Sequence, residues 1–509
     1  MKKIIYRNGF LVSLCFTIIL LINGCKTEIQ KPVYLDTSYS FEERAADLVS
    51  RFTIEEKQSL LGNTMAAVPR LGVNTYYVWG EALHGVVPMF NPKGGPATSF
   101  PSSASLGATW DPLLMEQEAS VIGDEARGFN TPVISNLTFW SPVVEPVRDP
   151  RWGRTGETFG EDPFLISQIG GGFVRGLMGN DPVYLKAVPC GKHYFANNSE
   201  FNRHISSSNM DDRDMREYYL SQYRKLIEKD KLPSIMTCYN SVNGVPMSAN
   251  KYLVDTIARK TYGLNGYITG DCGAIEDIRS GHLYVKTSAE ATALGLKSGV
   301  DTDCGSVYQT SAIDALNKGL ITEADMDLAL VNMFNVRMRI GEFDPHSKVP
   351  YSKIDTTVVN SSDHVAFAAE VAKKTPVLLK NNLKKNSDKK ILPLNATELK
   401  KIAVIGPMAD IVELGPYSGT ALDKNKVTPL AGIKNLLSAK GSTAEVVYNI
   451  GANTVSNGNL FNIYGFEIVK KDGSSVKYDA AQFTSSSKGI TCGSGLLPQK
   501  AVKSIGDGD

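Results

Sequence analysis

From about residue 38 to 345, stretches with apolar residues at helical spacing alternate with short, mostly apolar runs. The spacing predicts helices over residues 40–61, 111–128, 162–178, 214–229 and 288–298. The runs 133–140, 185–188, 234–239 and 266–269 are apolar on both sides, which is typical of parallel strands covered by helices. This alternation predicts an α/β fold and favours a (β/α)8 TIM-like barrel over residues 38–370, although periodicity does not separate a barrel from a doubly wound sheet.

A second unit follows a linker rich in Lys, Asn and Ser at residues 381–390. Residues 391–394 and 402–406 predict strand ending in a turn, and residues 430–440 predict a helix behind it. We therefore expect residues 391–453 to begin an incomplete α/β sandwich domain. From residue 454 to 509, Gly, Ser, Asn and Thr with short alternating runs predict a partial β-rich insert, which resembles part of a carbohydrate-binding module.

The N-terminus has the pattern of an export signal. Lys2, Lys3 and Arg7 precede the apolar run 10–22, which is too short to span a bilayer comfortably. Gly24-Cys25 then resembles a bacterial lipoprotein signal over residues 1–25, which implies cleavage before Cys25 and a lipid on its sulfur. A plain signal peptide with an incidental cysteine is the alternative. Both predict export, and the first predicts anchoring in the periplasm or at the outer-membrane or cell surface.

Composition narrows the partners only slightly. The net charge of +1 gives no field that would attract nucleic acid or an acidic membrane. We therefore expect no nucleic-acid partner, and contact with a membrane only through the lipid anchor. A neutral carbohydrate substrate fits this balance. Among the seven cysteines, none has the CxxC spacing of a zinc site. Cys272 and Cys304 are candidates for a disulfide in an oxidising compartment, with two buried free thiols as the alternative.

Asp271 is the first candidate for chemistry. The run 266–269 ends in Gly270-Asp271, and small residues flank the carboxylate. The C-terminal ends of barrel strands form the active site, so Asp271 would suit a nucleophile that attacks a sugar carbon. The alternative is a carboxylate that only caps the helix after it.

Other polar residues follow the predicted strands. Lys192 and His193 are adjacent after the run 185–188, and both would donate hydrogen bonds to sugar hydroxyls. Arg154 lies near Glu157, where a purely structural Arg–Glu network is the alternative. Tyr239 ends the strand-like run 234–239 and offers an aromatic wall with a hydroxyl.

Five segments taken together resemble glycoside hydrolase family 3 in identity, order and spacing: WGEALHG (79–85), DPRWGRTGETFGEDP (149–163), GKHYFANN (191–198), MTCYNSVNG (236–244) and GYITGDCGA (266–274). The resemblance implies a retaining mechanism with two carboxyl groups about 5–5.5 Å apart. It implies that Asp271 is the nucleophile and that the terminal sugar is surrounded by Arg154, Lys192, His193, Arg203 and Tyr239. It calls for no metal or organic cofactor.

Two positions favour the β-xylosidase branch of this family. Glu81 stands where glucosidase-like members usually carry an Asp-Gly pair, and Cys272 stands where they tend to have Trp. Glu81 would bind the 4-hydroxyl and crowd the space that a hexose hydroxymethyl needs. We expect an exo-acting β-xylosidase on xylo-oligosaccharides, with β-glucosidase as the alternative and α-L-arabinofuranosidase as a side activity.

The acid/base carboxyl has no counterpart in the sequence. In the family's larger members it is a Glu on a loop of the second domain, and neither Glu413 nor Glu445 has a matching context. We expect it beyond residue 509, in a longer protein. A non-catalytic glycan-binding lipoprotein is the competing hypothesis, and the sequence predicts no oligomeric state.

Overall fold

The computed structural model describes residues 31–87, 95–131 and 134–451, and the backbone alone at 466–469 and 475–478. The predicted signal with Cys25, and the insert apart from those two strands, lie outside the described residues. Among the residues described, no helix is long and apolar enough to cross a membrane.

Four parallel strands form the central sheet, in the order Thr302–Asp303, Tyr267–Gly270, Ser234–Thr237 and Gly191–Tyr194. Gly270 is in register with Thr237 on one side and with Asp303 on the other. Every residue of these strands is buried, which explains why the runs are apolar on both faces.

Backbone hydrogen bonds extend both edges of the central sheet. Strand Thr138–Phe139 pairs in parallel with Val188–Pro189, and Thr64–Met65 pairs antiparallel with Tyr76–Tyr77. Further N–H to O bonds of 2.8 to 2.9 Å join Asn63 to Asp303, Val78 to Asn63, Trp140 to Gly80 and Cys190 to Phe139. Followed in turn, these bonds lead from one edge of the central sheet back to the other.

Helices fill the intervals between these segments. The α-helices are Phe41–Val49, Ile54–Ser59, Ser103–Gly107, Pro112–Phe129, Pro163–Met178, Asp212–Asp214, Ser221–Glu228, Ala274–Asp277, Ser288–Ser298, Val307–Asn317, Glu323–Arg339, Ser362–Lys374 and Pro429–Ala439. Met215–Tyr219 and Tyr252–Thr261 are wound as π-helices. A small sheet of Ser207–Ser208, Ser241–Val242 and Val245–Pro246 lies outside the central sheet. The predicted α/β class is confirmed.

Two predicted helices are divided. Residues 40–61 form two helices because Thr53 starts a second one. The Thr53 hydroxyl accepts a hydrogen bond from the Glu56 backbone N–H, and the Glu56 carboxylate accepts one from the Thr53 backbone N–H. The first helix starts in the same way at Ser40 and Glu43. Residues 214–229 are divided by the π-helical turn Met215–Tyr219. The apolar spacing continues without a break where a new helix starts, so periodicity alone does not reveal the boundary.

In the second unit, strands Lys401–Ile405 and Glu445–Asn449 are parallel, with helix Pro429–Ala439 between them in sequence. The prediction of strand at 391–394 is wrong. The Asn381 side-chain amide binds both the N–H and the C=O of Leu392, and Pro393 has no N–H to offer a neighbouring strand. In the predicted insert, the backbone at Phe466–Val469 pairs antiparallel with Ser475–Tyr478.

Candidate active site

A cavity of about 280 Å³ lies at the C-terminal end of the central sheet. All seven residues predicted around the sugar line it: Glu81, Arg154, Lys192, His193, Arg203, Tyr239 and Asp271. They come from five separate segments of the sequence, so the fold brings together the residues that the motifs indicated. Trp79, Trp140, Cys272 and Tyr417 complete the wall.

Asp271 follows the strand Tyr267–Gly270 directly. Its backbone N–H donates to Thr237 O on the adjacent strand at 3.0 Å, and its Oδ1 accepts from the Cys272 N–H at 2.7 Å. Gly273, with φ of 93°, turns the chain into the short helix Ala274–Asp277. The Asp271 side chain is 12% exposed and lines the cavity.

Lys192 and Glu81 form a buried ion pair on the cavity wall. Lys192 Nζ lies 2.8 and 3.0 Å from the two carboxylate oxygens, and the side chains are 2% and 3% exposed. Burial raises the pKa of Glu81 to about 7, against the opposing charge of Lys192. Burial is the largest single influence on the pKa of Lys192 and lowers it, but the charges of Glu81, Tyr417 and Glu157 together outweigh burial, so the net direction is upward. Lys192 therefore keeps its positive charge.

His193 lies between Arg154 and Glu145. Arg154 Nη1 is 3.0 Å from His193 Nε2, and because a guanidinium only donates, Nε2 must accept. The ring proton is then on Nδ1, 2.7 Å from Glu145 Oε2. Nε2 is 3.5 Å from Asp271 Oδ2 but has no proton to give it. Asp271 Oδ2 is thus not engaged by His193.

Arg154 has two further bonds to Glu157, at 3.0 and 2.6 Å. Arg154 therefore both belongs to an Arg–Glu network and lines the cavity. The two carboxylate oxygens of Glu157 hold the guanidinium plane, and Nη1 contacts His193.

Tyr239 is held between two side chains at the rim of the cavity. The Arg203 guanidinium lies 4.5 Å from its ring centroid and the His204 ring lies 4.4 Å away. Arg203 is itself anchored to Glu200 at 2.7 Å. Burial raises the pKa of Tyr239 and the Asp271 charge adds to the shift, so the phenol stays protonated and able to donate.

Sequence reasoning missed three contributors to the site. Tyr417, from the second unit, places its ring 4.4 Å from Lys192 Nζ, and no motif marked it. Trp140 stacks on Trp79 with ring centroids 5.5 Å apart; Trp79 stands in a quoted motif, but Trp140 ends a run taken only as strand. Glu145, which holds His193, precedes the Asp149 motif by four residues. Its position shortly after a buried strand was the signal in the sequence that could have indicated a site residue.

Cys272 and Cys304 form a disulfide, which settles the alternative left open by the sequence. The bond joins the residue after Asp271 to the loop after the next strand, where Gly273 N also donates to Cys304 O at 2.8 Å. Cys190 and Cys238 are free and buried. In the part of the chain described, no three His, Cys, Asp or Glu side chains are grouped to hold a metal ion.

The lining carries two carboxyl groups, on Asp271 and Glu81, and Glu81 is bound to Lys192. Glu445 is paired with Lys401 on a surface strand at 2.9 Å. The cavity therefore combines one available carboxylate with a set of cationic and neutral donors. This arrangement suits attack on an electrophilic carbon of a hydroxylated ligand.

The pH dependence of stability tests the neutral state of His193. Burial, with the charge of Arg154, lowers the pKa of His193 well below 6.5. Below pH 6.5 the unfolded chain binds a proton there and the folded chain does not, so stability falls as pH falls. Relative to a His193→Gln variant, the free energy of unfolding should fall by about 1.4 kcal/mol per pH unit below pH 6. Urea unfolding from pH 5 to 8 measures this, and equal slopes would mean that the folded ring is protonated.

The chain matches two domains of one known protein family and is similar to curated members of it. Residues 62–336 match the glycosyl hydrolase family 3 N-terminal domain, and residues 376–487 match the C-terminal domain of that family. A probable beta-D-xylosidase 7 of Arabidopsis thaliana is 38% identical over 441 residues, 82% of this chain and 56% of the relative. A probable exo-1,4-beta-xylosidase of Neosartorya fischeri is 39% identical over 407 residues, 77% and 52% respectively. The chain spans about half the length of these curated relatives.

Solved structures give the same result. A GH3 exo-beta-xylosidase in complex with a xylobiose aziridine probe superposes with a TM-score of 0.77 and 34% identity, over 84% of this chain and 55% of that one. A beta-glucosidase of Listeria innocua superposes with a TM-score of 0.63 and 25% identity, over 81% and 61%. Because the N-terminal domain match alone extends over more than half of the 509 residues, the chain belongs to glycosyl hydrolase family 3.

Proposed function

We propose that this chain carries the sugar site and the nucleophile of a retaining, exo-acting β-xylosidase, which releases terminal β-xylosyl residues from xylo-oligosaccharides. The observation that carries the proposal is the single available carboxylate, Asp271, in a cavity of about 280 Å³ lined by donors. Pockets for drug-sized ligands are typically about 300–1,000 Å³, so this cavity suits one sugar ring and not a chain. A site of the size of one terminal ring favours exo action.

The proposed reaction has two displacements. Asp271 Oδ2 attacks the anomeric carbon as the bond to the glycosidic oxygen breaks, and that oxygen leaves with a proton from the acid/base carboxyl. Water then attacks the same carbon, returns a proton to the acid/base carboxylate and breaks the bond to Asp271, which is released as a carboxylate. Tyr239, protonated beside Asp271, would donate to the carboxylate and hold its orientation during both steps.

Sugar hydroxyls would be bound by the remaining residues of the wall. Lys192 and Arg154 keep their charge in a buried site, and a charged donor in such a place binds a hydroxyl more strongly than a neutral one. His193 Nε2 already accepts from Arg154, and its Nδ1–H already donates to Glu145, so His193 would act by holding the Arg154 guanidinium in position for a hydroxyl. Arg203 would border the position of the leaving group at the rim.

The proton donor for the leaving group is not assigned to any described residue. We propose a carboxyl group outside the described ranges, because the cavity offers Asp271 as nucleophile and holds Glu81 on Lys192. Loss of general acid catalysis typically costs about 10²–10⁴-fold in rate. Substrates with good leaving groups should be affected least.

The architecture proposed with this function is a (β/α)8-type barrel over residues 38–370, followed by the start of an α/β sandwich at 391–453 and a β-rich insert at 454–509. Support for the barrel comes from the backbone bonds that link the two edges of the central sheet. Support for the sandwich comes from the parallel strands Lys401–Ile405 and Glu445–Asn449.

Export with a lipid on Cys25 is also proposed, from the N-terminal pattern alone. Labelling of the full-length protein with a fatty-acid analogue in bacterial cells tests it. A Cys25→Ser variant should lose the label, and labelling that persists in this variant would contradict the proposal.

Incubation with an activated aryl β-xyloside tests the function, since its leaving group needs little protonation. Phenolate release together with a xylosyl adduct on the peptide that contains Asp271, found by mass spectrometry, supports the enzyme. Xylo-oligosaccharide binding with neither adduct nor turnover, in a sample with a cooperative melt, supports the glycan-binding alternative.

Sugar preference is tested at Glu81. Glu81→Asp shortens the side chain by one methylene and should make room for a hexose hydroxymethyl. We expect the ratio of kcat/KM for aryl β-xyloside over aryl β-glucoside to fall about tenfold, since one methylene changes discrimination by about 10–200-fold. Initial rates on both substrates measure the ratio. An unchanged ratio would contradict the specificity role of Glu81, whereas a wild-type ratio below one would favour the β-glucosidase alternative.

A further inference from the structure

His84 bridges the two units of the chain beside the sugar cavity. Its ring is 1% exposed, with Nδ1 2.9 Å from Phe100 O and Nε2 2.9 Å from Pro416 O. Phe100 belongs to the same unit as His84, whereas Pro416 lies on a loop of the second unit, over 300 residues away in sequence. His84 does not line the cavity.

The residue after Pro416 has an unusual backbone conformation. Tyr417 has φ of 54°, in the left-handed region that non-glycine residues rarely adopt. Such a conformation persists only where surrounding contacts hold it. Both ring nitrogens of His84 face a carbonyl oxygen, and a neutral ring donates to only one of them. With its proton on Nε2, His84 donates to Pro416 O and restrains the peptide plane that precedes Tyr417, one of the two planes whose relative rotation is this φ.

Contacts on the other side of Tyr417 tie the same loop to the first unit. Ser418 Oγ lies 2.6 Å from Ser99 Oγ, and Ala97 N donates to Thr420 O at 3.0 Å. Tyr417 is the residue between these attachments and Pro416. Its ring reaches the cavity and covers Lys192 Nζ at 4.4 Å.

We propose that His84 is a positioning residue of the sugar site: its Nε2–H donates to Pro416 O and holds Tyr417 in the conformation that closes the cavity over Lys192. The placement of Tyr417 stands on the geometry alone. Its consequence for sugar affinity rests on the function proposed above. On this view the second unit supplies one wall of the sugar site, and His84 is the part of the first unit that fixes this wall in place.

The accessibility of Lys192 to an acetylating reagent tests the placement of Tyr417 without any sugar present. The full chain is treated with N-hydroxysuccinimidyl acetate at pH 9, and acetylation of Lys192 is followed by peptide mass spectrometry. His84→Phe keeps a ring of similar size without a donor, and we expect acetylation of Lys192 to become at least fivefold faster, as in Tyr417→Ala. His84→Gln, which keeps an N–H, should restore most of the protection.

His364→Phe is the matched control. His364 is a histidine of the first unit that bonds to Glu125 at 2.9 Å, away from the cavity, and its replacement should leave Lys192 protected. Cooperative thermal unfolding is checked for every variant. If His84→Phe does not fold, His84→Met takes its place as the variant without a donor. A Lys192 acetylation rate that is unchanged in the donor-free variant overturns the proposal.

A double-mutant cycle tests the consequence for binding. Xylose affinity is followed by the fluorescence of Trp79 and Trp140, which line the cavity. His84→Phe and Tyr417→Ala should each raise Kd about tenfold, and the double variant should be no weaker than the weaker single variant. Additive losses, about a hundredfold together, would overturn the view that His84 acts through Tyr417. A wild-type chain that does not bind xylose would contradict the proposed function, and Lys192 acetylation would still decide the role of His84.

Discussion

Asp271→Asn is expected to slow the hydrolysis of an activated aryl β-xyloside by at least about 10⁴-fold, because an amide cannot form the covalent sugar intermediate. Loss of a nucleophile removes the whole two-step route, and only binding and the remaining donors then assist the reaction. Asp271 is the one lining carboxylate that no cation pairs at short range, so no neighbour is suited to replace it.

Steady-state phenolate release measures this loss. Asp303→Asn is a matched control, since Asp303 is a buried aspartate at the end of the adjacent strand and only accepts from the N–H groups of Val307 and Tyr308. It should keep activity within a few-fold. Xylose binding should survive in Asp271→Asn, because the cationic donors remain. Activity close to wild type in this variant would mean that another group forms the intermediate.

Lys192→Met is expected to cause the largest loss of stability, about 3–5 kcal/mol in the free energy of unfolding. The substitution leaves the Glu81 carboxylate buried with no cation bound to it. Burial already raises the pKa of Glu81 to about 7, and removal of the opposing charge should raise it further, so that the carboxyl is protonated at neutral pH. The cation that Tyr417 covers is lost as well.

Urea unfolding at pH 7.5 measures the loss, and a second variant isolates its cause. Lys192→Met combined with Glu81→Gln removes both charges and should regain more than half of the stability, while xylose affinity stays low. This separates the cost of a buried carboxyl without its partner from the loss of a sugar ligand. A loss below about 1 kcal/mol for Lys192→Met would mean that this pair contributes no more than an ion pair at a protein surface.

The sequence predicted most of the site because its residues lie in short segments next to strand ends. Lys192, His193, Tyr239 and Asp271 each follow or end an apolar run, and parallel strands bring such ends to one edge of a sheet. Tyr417 could not be predicted in this way, since it comes from a loop in another unit and reaches the site through contacts distant in sequence. The tautomer of His193 was equally hidden, because it depends on the donor geometry of Arg154.

The bounds of secondary-structure elements were predicted well where the period of the hydrophobic residues determines them. Strand Tyr267–Gly270 and helix Ser288–Ser298 lie within one residue of the expected positions. The predicted strand 185–188 overlaps strand Val188–Pro189 by one residue, and Gly191–Tyr194, which joins the central sheet, was not predicted. Two other errors occur where side chains compete with the backbone period. Thr53 restarts a helix inside a continuous apolar pattern, and the Asn381 amide occupies the polar groups of Leu392 in an apolar run that resembles strand.

Because the Cys272–Cys304 disulfide lies beside Asp271, the redox conditions under which this protein is prepared affect the cavity. A host with a reducing cytosol would yield free thiols at Cys272 and Cys304, and the first of these faces the sugar cavity. An alkylating reagent would then enter next to Asp271, and a batch stored with a thiol reductant would differ from an oxidised one at the rim. Thiol titration of each batch should therefore precede any comparison of rates.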